Sequence, residues 1–157
     1  MAAFAFLAAL AVAALLPASV SAAKPNPVVP PFIQKLVRAK AGGLAYVPTR
    51  VPFRYRYVRY DWKGRVLTIR IADRRFPLDG RRSLAFTARR FGGTLASCGD
   101  GREKTLQMGG NKVYWDGEAA WRCVRGPDGR AVRLAASGPN LPDVALGRVV
   151  ASGKRTG

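Results

Sequence analysis

Residues 113–136 read VYWDGEAAWRCVRGPDGRAVRLAA and contain two turn signals in close succession. The first, Asp116-Gly117, is a dipeptide that favours a two-residue type I′ turn between antiparallel strands. The second is Gly126-Pro127-Asp128-Gly129, in which Pro127 presets one backbone angle and Gly129 tolerates positive φ. Apolar residues flank both turns, so the stretch predicts three antiparallel strands in a meander. The predicted strands are Val113–Trp115, Ala119–Arg125 and Ala131–Ala136.

The chain upstream of this meander shows the period-2 alternation of apolar and polar residues that is typical of half-buried strands. The predicted strands there are Leu44–Val47, Phe53–Tyr60, Arg65–Ala72 and Leu84–Phe91. Asp61-Trp62-Lys63-Gly64 is interpreted as the hairpin turn between the second and third of them. Residues 98–108 are polar and contain glycine, so they are interpreted as a loop, with a strand within it left open as an alternative.

An amphipathic helix is predicted over Phe32–Ala41, with Pro31 in its first turn and Gly42-Gly43 after its end. The apolar residues of this helix share one stripe, which favours packing against the core over a face that binds a partner. The stripe consists of Phe32, Ile33, Leu36 and Val37.

A second helix is predicted over Val144–Ala151, with Pro142 in its first turn and Gly153 after its end. Asn140 or Leu141 would cap it. The residues expected to face the sheet are Leu146, Val149 and Val150. The order of helix, antiparallel strands and helix predicts an α+β domain. Its curved, half-barrel-like sheet would be covered on one side.

The N-terminal part of the sequence differs sharply in charge from the rest, because residues 1–23 carry no charged side chain. The apolar run Ala2–Leu16, followed by Pro17 and the small residues Ser19–Ala23, predicts a signal peptide over 1–23. An uncleaved membrane anchor is the alternative, because the usual positive n-region is missing. The apolar run, extended through Ala23, is also nearly as long as the roughly 20 residues that a membrane span needs. Export places the protein outside the cytoplasm, secreted or in the cell envelope.

The remaining chain is long enough for one domain but not for two ordinary ones. Residues 24–31 are rich in proline and are interpreted as a linker. A single domain is predicted over 32–153, and residues 154–157 are interpreted as a frayed basic tail. A monomer is the default expectation.

Cys98 and Cys123 are the two cysteines of the chain. In an exported domain such a pair predicts a structural disulfide. Closing the loop between these two cysteines should stabilise the fold by about 3 kcal/mol. A redox-active pair is disfavoured, because the spacing is not Cys-x-x-Cys.

The sequence contains no histidine and has a formal net charge of +18, from 27 Lys and Arg against 9 Asp and Glu. The absence of histidine excludes Ser-His-Asp and Cys-His catalysis and every zinc site that uses histidine. We expect no catalytic residue, no metal site and no cofactor.

The basic charge favours an anionic or amphiphilic partner, such as anionic lipid headgroups or an acidic cell-wall polymer. An arginine-rich composition without a binding role is the alternative. Specific nucleic-acid binding is not expected outside the cytoplasm. Membrane attachment is expected only through an uncleaved leader.

Arginine and tyrosine alternate over Arg50–Arg59, a pattern that suits phosphate contacts and ring stacking. The interpretation we favour is simpler: the rings form the buried face of a strand and the arginines its solvated face. Two tryptophans on paired strands likewise favour core packing near the disulfide over an exposed platform. The candidate anionic-ligand surface consists of Arg50, Arg54, Arg56 and Arg59. The candidate aromatic platform consists of Tyr55, Tyr57, Trp115 and Trp121.

Several short motifs share an order known from another group of proteins. They are Tyr46–Phe53, Gly110–Trp115, Ala120–Cys123, Leu134–Gly138 and Leu141–Ser152. This pattern resembles a bacterial domain of unknown function found in exported proteins and beside anti-sigma factors. The resemblance implies an open half-barrel similar to that of periplasmic lipoprotein carriers, with helices on its concave side and no catalytic residues. The cysteine pair and the high charge depart from the family pattern.

These features together predict a non-enzymatic binding module for an anionic or amphiphilic ligand. The ligand would be held on the concave side of the sheet or on the arginine surface. Two alternatives remain open at this point: a hydrolase that works without histidine, and a cationic antibacterial effector.

Overall fold

The computed structural model describes residues 27–74, 82–99 and 101–157. The predicted signal peptide and the first part of the predicted linker lie outside these ranges. In the described part of the chain, no helix is long and apolar enough to span a bilayer.

The described elements follow the predicted order of a helix, a series of strands and a second helix. The helices are α1 (Pro31–Ala41) and α2 (Asp143–Ala151), and a 3₁₀ turn spans Gly42–Leu44. The strands are β1 (Tyr46–Val47), β2 (Tyr57–Lys63), β3 (Val66–Ala72), β4 (Ser83–Arg90), β5 (Lys104–Met108), β6 (Asn111–Trp115), β7 (Ala119–Arg125), β8 (Ala131–Ser137) and β9 (Lys154–Arg155).

Seven of these strands form one antiparallel sheet in the spatial order β2-β3-β4-β8-β7-β6-β5. Two meanders, β2 to β4 and β5 to β8, meet where β4 pairs with β8. The sheet does not close into a barrel, so β2 and β5 are its outer strands. The predicted α+β class, with an antiparallel sheet, two helices and one disulfide, is confirmed.

Alternation along the central strands separates a buried face from a more exposed one. Ile69, Phe86 and Leu134 on three neighbouring strands are completely buried. Thr68 and Arg70, which flank Ile69, lie on the other side of the sheet because successive side chains point in opposite directions. We call the buried side the core face and the opposite side the outer face.

Both helices pack on the core face. The helix residues in the hydrophobic core are Ile33, Val37 and Ala41 from α1 and Leu146, Val149 and Val150 from α2. α2 lies over β5 to β8, whereas α1 lies beside β2. The predicted orientation of α2 is confirmed. Helices and core side chains cover the middle of this face.

The prediction for α1 is wrong for half of its apolar stripe. Ile33 and Val37 are buried, but Phe32 is 65% exposed and Leu36 is 44% exposed. Residues four apart follow one line along a helix, and the next residue is rotated by about 100°. Only the line through Ile33 and Val37 faces the core, so the line through Phe32 and Leu36 faces outward.

The hairpin between β2 and β3 is tighter than the sequence suggested. β2 continues through Trp62 to Lys63, so Trp62 is a strand residue on the core face and not a turn residue. The turn is formed by Gly64 and Arg65, whose φ values are 57° and 64°. Two consecutive positive φ values are typical of a type I′ turn.

The Asp116-Gly117 turn does not have the predicted type I′ geometry. Gly117 has a positive φ, but Asp116 does not. The Asp116 carboxylate instead accepts hydrogen bonds from the N–H groups of Glu118 and Ala119, both at 3.0 Å. The side chain of the aspartate therefore closes this loop, which is a known alternative to a backbone turn.

Two further local predictions need correction. Residues 104–108, where a loop was favoured and a strand left open, form β5 and pair with β6. The residue before α2 is Pro142, and neither Asn140 nor Leu141 caps the helix. Asn140 has a φ of 58°, so it makes the bend that leads into the helix.

Segments expected to lie outside the domain are part of it. β9, in the predicted frayed tail, pairs with β1, and the Thr156 N–H donates to the Ala45 carbonyl at 2.8 Å. At the other end, Val28 and Val29 from the predicted linker are buried in the core. The ordered domain is therefore longer than 32–153 on both sides.

Candidate anion-binding site

An open cleft of about 1290 Å³ lies at one end of the core face, beside the first residues of β2 and β4 and the last residues of β3. The last apolar row before the cleft consists of Val58, Ile71 and Leu84, which are paired across the three strands. The cleft therefore begins where the hydrophobic core ends.

The strands continue into the cleft by one further row. The Arg56 N–H donates to the Ala72 carbonyl at 2.9 Å, and the Asp73 N–H donates to the Arg82 carbonyl at 3.2 Å. Because side chains alternate along a strand, Arg56, Asp73 and Arg82 fall on the same side of the sheet as the apolar row. All three line the cleft. The pairing of the strands thus places two arginines and an aspartate side by side in one row of the sheet.

The loop between β1 and β2 forms another wall of the cleft. The N–H groups of Thr49 and Arg50 both donate to the Ser152 Oγ at 3.1 Å. The Thr49 hydroxyl also donates to the Ser152 carbonyl at 3.0 Å. Ser152 is the C-cap residue of α2, so the end of this helix fixes the start of the loop.

The later part of the same loop is held by aromatic residues. Phe53 is buried in the core, and the Tyr55 hydroxyl donates to the Pro27 carbonyl at 3.5 Å. Arg54 lies between these two anchored residues, so its backbone is fixed while its side chain is exposed. Val28 and Val51 add apolar surface to the lining.

Positive charge dominates the cleft, since the described residues that line it include five arginines and a single carboxylate, that of Asp73. The arginines are Arg50, Arg54, Arg56, Arg74 and Arg82. Within residues 27–74, 82–99 and 101–157, their guanidinium groups form no ion pair and no hydrogen bond. The Asp73 Oδ1 is buried and has no hydrogen-bond partner there either. Guanidinium groups in a shared cleft repel one another, so an oxyanion among them would be favoured.

Arg59, the fourth predicted residue of the anionic-ligand surface, is separate from the cleft. It lies on the outer face, directly opposite Arg70 across β2 and β3. Arg89 and Arg133 form a second directly opposed pair across β4 and β8. Like charges in such positions are destabilising. The outer face is therefore a second basic surface of the molecule.

The four residues of the candidate aromatic platform do not share one surface. Tyr55 lines the cleft, and Tyr57 is exposed on the outer face. Trp115 is half-buried on the core face, with the Lys104 ammonium 5.2 Å from its ring centre. Trp121 is only 5% exposed and lies on the outer face. The two tryptophans are thus on opposite sides of the sheet.

Trp121 belongs to a small second core built around the disulfide. Cys98 and Cys123 are bonded, and the Trp121 indole N–H donates to the Cys98 carbonyl at 3.1 Å. The Tyr114 ring lies 6.1 Å from that of Trp121, and the Arg133 guanidinium covers the indole at 4.3 Å. The expected packing of a tryptophan near the disulfide is confirmed.

A pocket of about 490 Å³ beside the disulfide has Glu103 and Asp116 among the described residues that line it. Glu103 accepts a hydrogen bond from the Arg102 N–H at 3.1 Å. The N–H of Ala119, more than any other group, lowers the pKa of Asp116 below its ordinary value. A general acid needs a raised pKa. Asp116 therefore suits the stabilisation of its turn better than proton donation.

Asp73, Arg74 and Arg82 were missed by the sequence analysis. Each lies just after β3 or just before β4 along the chain. Only the pairing of β3 with both β2 and β4 shows that they lie beside Arg56. The sequence did offer one signal. Arg56 and Arg82 each precede a strand, and these two strands lie on either side of β3.

Among the described residues, no group of three or more Cys, Asp or Glu side chains could hold a metal ion. No protein-family model, curated protein or solved structure matches the chain.

Proposed function

We propose that the protein is an extracytoplasmic binding protein whose arginine cleft takes a ligand with phosphate or carboxylate groups. The observation that carries this proposal is that the described residues lining one open cleft include five arginines and one carboxylate. An exported location is supported by the Cys98–Cys123 disulfide, since such bonds persist in oxidising compartments. It is also supported by the uncharged sequence of residues 1–23.

The chemistry of the cleft indicates the class of ligand. A planar guanidinium group can donate two parallel hydrogen bonds to one phosphate or carboxylate. Several such groups around one space suit a ligand with more than one oxyanion. The apolar parts of Val28, Val51 and Tyr55 beside them suit a ligand that also carries an apolar portion. A phosphorylated amphiphile and an acidic polymer share this oxyanion chemistry.

Calorimetric titration with inorganic tripolyphosphate tests the oxyanion part of the proposal. We expect Arg54→Ala/Arg56→Ala/Arg82→Ala to weaken binding about tenfold or more, because charge-assisted hydrogen bonds to the anion are lost. Binding to the unchanged protein should also weaken as salt is added, because exposed charges are screened.

The control removes the same number of charges from the outer face, with Arg70→Ala/Arg89→Ala/Arg125→Ala. These side chains are exposed and do not line the cleft. We expect this variant to lose affinity only about twofold, through the general drop in positive potential. Equal losses in the two triple variants would show that net charge attracts the anion and would contradict a site in the cleft.

A further inference from the structure

The outward side of α1 carries an apolar line that the fold does not use. Phe32 is 65% exposed, Leu36 is 44% exposed, and Ala39 is exposed as well. Their spacing of four and three residues places them one above another on the helix surface. The core needs only the neighbouring line through Ile33 and Val37, so this line is available for contact with something outside the domain.

Positive charges border the apolar line on both sides. Lys35 and Lys40 are exposed, and each lies about 70° of helix rotation from the centre of the line, in opposite directions. Arg38 is also exposed, and α1 contains no Asp or Glu. An apolar line bordered by lysines is typical of helices that lie in a membrane surface. Lysine stems there cover apolar surface while their ammonium groups remain among the headgroups.

We propose that the outer side of α1 docks on the surface of an anionic lipid bilayer, with Phe32 and Leu36 inserted between the headgroups. The bordering lysines and the net charge of +18 complement anionic headgroups and would repel a second copy of this chain. The uncharged residues 1–23 precede α1 by a short proline-containing stretch. A bilayer is therefore the partner that both the helix and the neighbouring sequence fit.

Docking through α1 would also set the position of the arginine cleft. Val28, three residues before α1, lines the cleft, and the Tyr55 hydroxyl contacts Pro27. The cleft would then open close to the bilayer surface. The docking itself does not depend on the cleft, so the two proposals are tested by different variants.

The test places a tryptophan reporter on the helix in the full chain, with Phe32→Trp. The vesicles contain phosphatidylglycerol and phosphatidylcholine in equal parts, with acyl chains that carry bromine as a contact quencher. The matched control is Leu95→Trp, at a residue in the loop between β4 and β5 that is 38% exposed. The signal of the three native tryptophans is subtracted with the unchanged protein. We expect strong quenching and a blue shift for the α1 reporter and neither for the control.

A partition measurement supplies the second arm. Phe32→Ser/Leu36→Ser should lower binding to the same vesicles about tenfold, because apolar side chains no longer enter the bilayer. Leu95→Ser/Val144→Ser, which removes two similarly exposed apolar side chains elsewhere, should change it little. Tripolyphosphate affinity should be the same for both double variants. If only the variant that lacks Arg54, Arg56 and Arg82 loses affinity for tripolyphosphate, the docking proposal remains intact.

Three results would overturn the proposal. One is equal quenching of the two tryptophan reporters. Another is equal vesicle binding by the two double serine variants. The third is self-association of the unchanged protein in solution that disappears in Phe32→Ser/Leu36→Ser, which would make a second copy the occupant of this helix face.

Discussion

Arg122 lies on the core face of β7, directly opposite Leu134 on β8, in a position where an apolar residue is usual. Its guanidinium group donates one hydrogen bond to the Asn111 Oδ1 and another to the Gly153 carbonyl, the latter at 2.9 Å. Burial lowers the pKa of Arg122, although an arginine stays charged at neutral pH. The side chain thus links β6, β7 and the chain just after α2.

We expect Arg122→Met to lower the free energy of unfolding by about 2 kcal/mol, because two hydrogen bonds to a charged donor are lost and the Gly153 carbonyl loses its partner. Urea unfolding followed by circular dichroism measures this change. Arg122→Lys is the matched variant. It keeps the charge but cannot reach two acceptors with a planar group, so it should lose about half as much. A stability for Arg122→Met equal to that of the unchanged protein would contradict the linking role.

The role of Arg122 could not be predicted from the sequence, and the reason is physical. Both sides of β7 carry apolar residues, because Trp121 and Cys123 pack on the outer face while Ala120 and Val124 pack on the core face. Period-2 alternation does not distinguish the two faces of such a strand. The disulfide, in contrast, followed from residue type and the expected compartment alone.

At the scale of elements, the loop between β4 and β5 is attached to the outer face at Cys98, by the disulfide and the cluster around it. Gly99 is enclosed there, since a side chain at this position would collide with the Tyr114 ring and the Glu103 carboxylate. This loop joins the two meanders of the sheet. Its attachment therefore constrains how the second meander lies beside the first.

Removing the disulfide with Cys98→Ala/Cys123→Ala should lower the free energy of unfolding by about 3 kcal/mol, mainly because the unfolded chain gains freedom. Differential scanning calorimetry should show a melting temperature lower by about 10 °C. The unchanged protein in a reducing agent provides the control and should show the same shift. An unaltered melting temperature in both samples would mean that the aromatic cluster alone holds the loop.

Element boundaries were predictable where turn chemistry is local, as at Gly129, whose φ of 78° confirms its expected positive value. They were not predictable where tertiary pairing decides. β5 has a short, polar sequence with only Leu106 and Met108 packed against the core, and it is a strand because β6 lies beside it. The same holds for the cleft, since Arg56 and Arg82 meet only through the register of β2, β3 and β4.

At the scale of the whole molecule, the described chain is closed by the pairing of β1 with β9. Tyr46 is opposite Arg155 and Val47 is opposite Lys154, and the next residue, Thr156, is buried. This pair leads directly to Thr49, whose contacts with Ser152 fix one wall of the arginine cleft. The pairing of β1 with β9 and the shape of the cleft should therefore be coupled.

Deletion of residues 154–157 tests this coupling. We expect the free energy of unfolding to fall by about 2 kcal/mol, because the backbone hydrogen bonds between β1 and β9 are lost. Amide hydrogen exchange at residues 46–50 should become faster, since that segment loses its partner strand. Tripolyphosphate affinity should fall about threefold, because a loosened loop no longer presents Arg50 in a fixed position.

The control for this deletion is Lys154→Ala/Arg155→Ala, which removes the same two charges but keeps the backbone pairing. Both side chains are exposed, so stability should change by less than about 0.5 kcal/mol. If the double alanine variant loses as much tripolyphosphate affinity as the deletion, the two charges act on the anion directly. The coupling between strand pairing and cleft shape would then be disproved. If affinity falls only in the deletion, together with faster exchange at residues 46–50, the cleft depends on the strand pair formed by the last residues of the chain.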